Sequence, residues 1–220
     1  MDKLATDFAA EREAMVERQL RRRGIADPRI LNAFRAVPRE AFVAAEHAHL
    51  AYGDHPVPIA GGQTVSQPYI VALMIDAADI RRGHRVLEVG SGSGYAAAVI
   101  SRIAGRVIGI ERLPVLAAMS RERLRQLGCN TVEIIEADGT MGWHEGAPYD
   151  AILVAASGSH VPSALVEQLA PGGRLVMPIG ARDDVQRLVQ VTRFADGVEH
   201  SDLGAVRFVP LIGEEGWKDG

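Results

Sequence analysis

Four short stretches of this 220-residue chain combine residue types that can do chemistry on a small ligand. In Glu88-Val89-Gly90-Ser91-Gly92-Ser93-Gly94-Tyr95, which follows an apolar run, alternating glycines let the backbone turn tightly and approach a ligand without side-chain interference. Gly92-Ser93-Gly94-Tyr95-Ala96-Ala97 satisfies the Gly-x-Gly-x-x-Ala form of a dinucleotide fingerprint, so the turn alone leaves the ligand open. Glu111 closes the next apolar run, a place where an acid accepts hydrogen bonds from a ribose diol. Asp138-Gly139 closes the one after it. An acid there can accept from an adenine amino group while the glycine gives the ring room, although Asp-Gly in isolation reads nearly as well as an ordinary turn. The fourth stretch, Gly61-Gly62-Gln63-Thr64-Val65-Ser66-Gln67-Pro68, is dense in small hydrogen-bonding groups that no loop by itself requires.

These stretches need a frame that brings their ends together. From about residue 83 onward, short β-rich apolar runs alternate with amphipathic stretches, the sequence form of a parallel sheet covered by helices. Strands are expected at 85–89, 106–110, 131–137, 149–155 and 173–179, with weaker ones at 186–193 and 205–210, and helices at 94–104, 113–127 and 163–169. The expected fold class is α/β: a Rossmann-like, seven-stranded, mostly parallel sheet with helices on both faces, plus an N-terminal helical and loop extension. Ligands in such folds sit beyond the carboxyl ends of the strands, where the glycine turn, Glu111 and Asp138 fall. In the extension, Met15, Val16 and Leu20 have helical spacing, and Arg21-Arg22-Arg23-Gly24 suits a last turn with a glycine cap. Asp27-Pro28 reads as an N-cap and first helical position, opening a helix through Phe34 that stops before Pro38.

Composition narrows the function. A chain of 220 residues at 47% hydrophobic can bury one good core, so one domain is expected over 1–220: helices and the glycine-rich loop in 1–82, the sheet in 83–213 and a tail in 214–220. A net charge of −4 argues against nucleic-acid binding, and the arginine triplet is read as a solvated helix end. Cys129 alone forms neither an internal disulfide nor a cysteine metal cluster, which suits a reducing compartment. Met1–Glu13 carries charges throughout, unlike a signal peptide, and no apolar run is long enough to span a bilayer. A cytoplasmic monomer without membrane contact is expected. The seven histidines lack metal-ligand spacing, so no metal is expected; Trp143 and Trp217 read as packing residues, and Cys129 has no base placed to activate it.

Glu88, two residues before Gly90, gives the Glu-x-Gly-x-Gly-x-Gly form seen in class I S-adenosylmethionine-dependent methyltransferases, where the turn faces a methionine-derived portion instead of a pyrophosphate. Longer blocks sharpen this. Met15-Val16-x-x-Gln19-Leu20, Val37-Pro38-Arg39-x-x-Phe42-Val43, Ala51-Tyr52-x-Asp54, Gly62-Gln63-Thr64-Val65-Ser66-Gln67-Pro68, Asp138-Gly139-x-x-Gly142-Trp143, Pro171-Gly172-Gly173-Arg174-Leu175 and Val206-Arg207-Phe208-Val209-Pro210-Leu211 span most of residues 15–213. With them the chain resembles the protein-L-isoaspartate O-methyltransferases. The resemblance implies transfer of a methyl group from S-adenosylmethionine to the free α-carboxylate of L-isoaspartyl residues, and of D-aspartyl ones in some members, in damaged proteins and peptides. S-adenosylhomocysteine is then the product. It implies Ser66 as the catalytic residue, on a loop that folds over the cofactor as a lid. It implies cofactor binding by Gly62, Gln63, Thr64, Glu88, Gly90, Ser91, Gly92, Gly94, Glu111, Asp138 and Gly139. Val65, Ala156, Val209 and Pro210 are assigned to the peptide border. Ala155 departs from the family's frequent threonine, Ala60 from a frequent glycine, and the 214–217 tail follows no usable pattern.

The chemistry accounts for the composition of Gly61–Pro68. An α-carboxylate with a pKa of roughly 3.5 is ionised at neutral pH and needs no general base. What it needs is placement in line with the methyl donor, and small donors such as Ser66 and Thr64 orient it without a cation to blunt its nucleophilicity. Ser66 is also placed to cap a helix over 69–78, and both roles are expected of it. Two other readings stay open: a methyltransferase acting on an RNA base or a small molecule, which would not need Gly61–Pro68, and a nucleotide-binding module without turnover.

Overall fold

In the computed structural model, which describes residues 7–182 and 184–218, the central strand β3 (Arg85–Val89) is buried along four of its five residues, as an inner parallel strand must be. The charged Met1–Thr6 start and the last two residues of the tail lie outside the described residues. β4 (Arg106–Glu111), β5 (Val132–Glu136), β6 (Tyr149–Val154) and β7 (Leu169–Ile179) join β3 in parallel pairing; β8 (Gln186–Phe194) and β9 (Gly197–Val206) add antiparallel strands at one edge. The resulting seven-stranded sheet has the order β5-β4-β3-β6-β7-β8-β9. This is the expected mostly parallel, Rossmann-like sheet.

Alternation along each strand divides the core in two. Val86, Val107, Leu153 and Val176 point to one face, where they pack with Ala97–Ile100, Leu124 and the N-terminal helices. Leu87, Ile108, Ile152 and Leu175 point to the other, against Leu165, Tyr149 and Leu211. The first face carries α1 (Phe8–Met15), α2 (Pro28–Ala36), α3 (Pro68–Ala77), α4 (Tyr95–Ile100) and α5 (Pro114–Gln126). The second carries the five-residue α6 (Ser163–Glu167), single 3-10 turns at Gly139–Met141 and His144–Gly146, and the end of the chain.

Caps behave as their residue types require. Asp27 Oδ1 accepts from the Arg29 N–H at 2.7 Å and Pro28 opens α2; α1 starts earlier than expected, with Asp7 accepting from the N–H groups of Ala9 and Ala10 at 3.1 Å. A π turn (Val16–Leu20) and a 3-10 turn (Arg21–Arg23) carry α1 on to Gly24, which stops it at φ 99°. Gln67, with no side-chain cap bond, occupies the N-cap of α3, so the expectation that Ser66 caps this helix is corrected: proline at the first position makes a cap less necessary. The last strand also differs, covering 197–206 instead of 205–210. The Ala195-Asp196 pair turns the chain straight from β8 into β9 as a hairpin, which frees 207–210 to run past the sheet toward the site. Helix α4 ends at Ile100, earlier than expected.

Gly94, at the start of α4, has φ 87°, and a Cβ on it would lie 3.1 Å from Ser120 Cβ and 3.3 Å from Leu124 Cδ1 on α5. Gly94→Ala is therefore expected to cost roughly 1–3 kcal/mol of stability, read as a lowered urea midpoint with an unchanged slope.

Candidate active site

Beyond the carboxyl ends of β3, β4 and β6 the loops enclose a cavity of about 1170 Å³ of atom-free space, mouth included. Gly90 and Ser91 turn tightly off β3, their N–H groups donating to the Ile110 carbonyl at 2.8 and 3.1 Å. Glu111 at the end of β4 holds the turn in place: Oε2 accepts from the Gly92 N–H at 2.8 Å and Oε1 from the Leu113 N–H at 2.9 Å. The acid expected to meet a ribose thus first organises the glycine loop, leaving each oxygen a lone pair for a hydroxyl. Gly139 lines the cavity because any Cβ there would lie 2.4 Å from Val89 Cγ1.

Glu88 is 2% exposed, and its Oε2 has no hydrogen-bond partner. Burial pushes its carboxyl up to about 7; the charge of Glu111 pushes the same way, while the Ser91 hydroxyl and the Ala97 N–H pull it down. Two carboxyl groups beside one glycine turn disfavour a pyrophosphate and suit a ligand that brings an ammonium and ribose hydroxyls. This chemistry separates the two nucleotide readings that the glycines alone leave open.

The lid crosses the cavity from the other side. Val57–Pro58 (β1) and Thr64–Val65 (β2) form a two-residue antiparallel pair, and Gly61 and Gly62 turn between them at φ 69° and 68°. A Cβ on Gly61 would lie 2.9 Å from Leu113 Cδ1, so the lid tip rests beside the Glu111 loop. Gln63, Thr64, Val65 and Ser66 line the cavity, as do Glu88, Gly90, Ser91, Gly92, Glu111, Gly139, Ala156, Val209 and Pro210.

Three residues expected at the cofactor stand outside this lining. Gly62 belongs to the lid turn and Gly94 to the α4–α5 contact. Asp138 adjoins the lining residue Gly139 and is braced by the chain: Oδ1 accepts from the Thr140 N–H at 2.9 Å and the Thr140 hydroxyl at 2.8 Å, and Oδ2 from the Glu214 N–H at 2.7 Å. The tail that follows no sequence pattern is thereby tied to the site. The Glu215 carboxylate accepts from the Ser163 N–H and hydroxyl, and Trp217 Nε1 donates to the Ser157 carbonyl at 3.0 Å. Leu211 and Ile212 join the lining, as do Val71 and Met74 of α3. None of these four belongs to a ligand-binding pattern; only proximity in the fold reveals them.

A second groove, about 1290 Å³ with its mouth, opens outside the lid between Pro56, Gln67, Ile70, Val185 and residues 205–208. Thr64, Ser66, Ala155 and Val209 line both spaces and form the seam between them. Of the four residues expected at the peptide border, Val209 lies on this seam, whereas Val65, Ala156 and Pro210 face the inner cavity.

The sheet, the glycine turn with its two acids and the lid define a methyltransferase of the nucleoside-sulfonium class. Comparison with known proteins resolves it further. The protein-L-isoaspartate(D-aspartate) O-methyltransferase family profile matches residues 10–216, and the chain belongs to that family. It is 56% identical over 214 residues to protein-L-isoaspartate O-methyltransferase 1 of Rhodopseudomonas palustris (strain HaA2), covering 97% of this chain and 87% of that one. It is 52% identical to protein-L-isoaspartate O-methyltransferase 2 of Marinobacter nauticus over 99% of this chain and all of that one. A Plasmodium falciparum structure described as a protein-L-isoaspartate O-methyltransferase with S-adenosyl-L-homocysteine superposes with a TM-score of 0.79 at 30% identity, over 91% of this chain and 98% of that one.

A cation bound at Glu88 must meet a carboxylate, and the free carboxyl titrates at about 7. Affinity for S-adenosylhomocysteine, which carries an ammonium, is expected to fall as pH drops below about 7, because binding then has to expel a proton. Calorimetry in buffers of different ionisation heat should show this proton release, and Glu88→Gln should abolish it.

Proposed function

We propose that the chain repairs damaged proteins by methylating the α-carboxylate of L-isoaspartyl residues, with the substrate in the outer groove and S-adenosylmethionine in the inner cavity. The observation that carries this reading is the seam: a carboxylate entering from the groove reaches the cavity only past Thr64, Ser66, Ala155 and Val209. When bound, the cofactor would supply a methyl group made electrophilic by its sulfonium.

The chain's own residues do the positioning. Ser66, half-buried on the seam, donates its hydroxyl to one carboxylate oxygen, and the Thr64 hydroxyl lies on the same seam. Neither is a cation, so the oxygen keeps its electron density. No general base is assigned, since the acceptor is ionised at neutral pH. Glu88 holds the amino-acid portion and Glu111 the ribose; Gly90, Ser91 and Gly92 let that portion close on the backbone. Asp138 Oδ2, which accepts one N–H, keeps a lone pair for the adenine amino group beside Gly139. Gly62, Gln63 and Thr64 close the lid over the cofactor, while Gly94 sets the start of α4. Val65, Ala156, Val209 and Pro210 shape the end of the passage that the acceptor enters. Val209 and the adjoining 205–208 segment offer backbone groups indifferent to side-chain identity, which suits an enzyme that must accept many damaged sites.

The net charge of −4 supports a protein substrate over RNA, and the lone cysteine supports a cytoplasmic setting. Among the described residues no helix is long and apolar enough to cross a membrane. We assign the activity to a monomer without a metal, the groups given roles above being hydroxyls, carboxylates and backbone amides of one chain.

Two peptides differing only in isoaspartate against aspartate provide the test, with methyl-labelled S-adenosylmethionine. Base-labile label on the isoaspartyl peptide alone is expected; label on neither, with cofactor bound, would move the acceptor to an RNA base or small molecule. Ser66→Ala is expected to lower kcat by roughly 10²-fold with cofactor affinity retained.

A further inference from the structure

The largest side chain with no exposed surface is a cation. Arg39, 0% exposed, rises from the 3-10 turn Arg39–Phe42 into the space between the lid and α4. Its Nε donates to the Ala51 carbonyl at 2.6 Å and its Nη2 to the Ser66 carbonyl at 2.8 Å. The guanidinium carbon stands 4.6 Å from the centroid of the Tyr95 ring, and Nη1 has no partner. Burial pushes the guanidinium pKa down, and the nearby Tyr95 and Tyr52 only partly oppose it.

Removing a cation from water without a carboxylate beside it costs several kcal/mol, and a methionine or leucine would fill the same volume without that cost. An apolar side chain, however, cannot hold two carbonyls at a set separation. One of the two that Arg39 holds is that of Ser66, on the seam; the other is that of Ala51. Ala51 opens the stretch whose Asp54 Oδ1 accepts from Gln67 Nε2 at 2.8 Å, just after Ser66. Tyr95, under the guanidinium, follows Gly94 and the glycine turn directly.

We infer that Arg39 is a positioning residue for methyl transfer: its planar fork ties the Ser66 backbone to Ala51 and to the Tyr95 face, fixing the Ser66 hydroxyl relative to the Gly90–Gly94 turn. This rests on the assignment of Ser66 to the acceptor carboxylate. Lysine keeps the charge but not the fork, and reaches one carbonyl at a time.

The test is a double-mutant cycle on the full chain with Arg39→Lys, Ser66→Ala and the pair, reading kcat with the isoaspartyl peptide and Kd for S-adenosylhomocysteine. Arg39→Lys is expected to lower kcat by about 30-fold with Kd within about threefold of the parent, and the double variant to be no more than about twofold slower than Ser66→Ala alone. Effects that multiply would overturn the inference and leave the Ser66 assignment standing, as would an Arg39→Lys enzyme with normal kcat or with Kd raised tenfold. A fully active Ser66→Ala enzyme would sink the Ser66 assignment itself, and this inference with it. If Arg39→Lys folds poorly, Arg39→Ala assayed with added ethylguanidinium replaces it: recovered kcat in that variant, and none in the Arg39→Ala/Ser66→Ala pair, is the expected result, and no recovery counts against Arg39.

Discussion

A cation buried without a carboxylate partner ties the backbone at Ser66 to the N-terminal extension. The lid that carries Ser66 is two strands of two residues each joined by a glycine turn, too little structure to hold a side chain to a fraction of an ångström by itself. Its position has to come from neighbours. Arg39 supplies an inner tie through the Ser66 carbonyl, and Gln67 an outer one through Asp54, which also pairs with Arg23 at 3.0 Å. Arg23 in turn lies 3.5 Å from the centroid of the Tyr69 ring on α3. Both ties end on the N-terminal extension, so the extension is what holds Ser66 between the cavity and the groove.

Charge in the cavity follows the same economy. Glu111 organises the glycine turn through the Gly92 N–H and keeps a lone pair on each oxygen, so one acid both shapes the cavity and lines it. Glu88 does the opposite: its free oxygen and raised pKa mark a carboxyl prepared for a partner that the protein itself does not provide. Such a group lowers the stability of the empty protein as pH rises from its ordinary 4.5 through about 7, because the unfolded chain gives up that proton more readily. Binding a cation there returns part of that free energy as affinity.

Much of this was legible in the residues. Strands β3, β4 and β6 appear as apolar runs near their actual limits, since inner parallel strands are buried on both sides and need nothing else. The Glu-x-Gly-x-Gly-x-Gly turn and Glu111 are local features, and they occupy the positions that their types suggest. Where expectation and structure part, a long-range contact decides. Asp138 gives no sign in the sequence that Glu214, 76 residues later, donates to it. Ser66 looks like a helix cap until Pro68 makes a cap less necessary and the chain turns the residue toward the seam. Gly94 carries a packing demand that the sequence does not show, because Ser120 and Leu124 of α5 stand over it.

By itself the sequence determined the class of sheet, the glycine turn that lines the cavity and the family, because each is written in contiguous residues whose backbone needs or burial patterns act locally. Only the tertiary structure decided that Val209 and Ser66 share one seam, that Arg39 reaches Ser66, 27 positions away, and that the tail braces Asp138. Those are contacts between segments that no local pattern links. They form only when burial of two apolar faces on one sheet has brought the segments together.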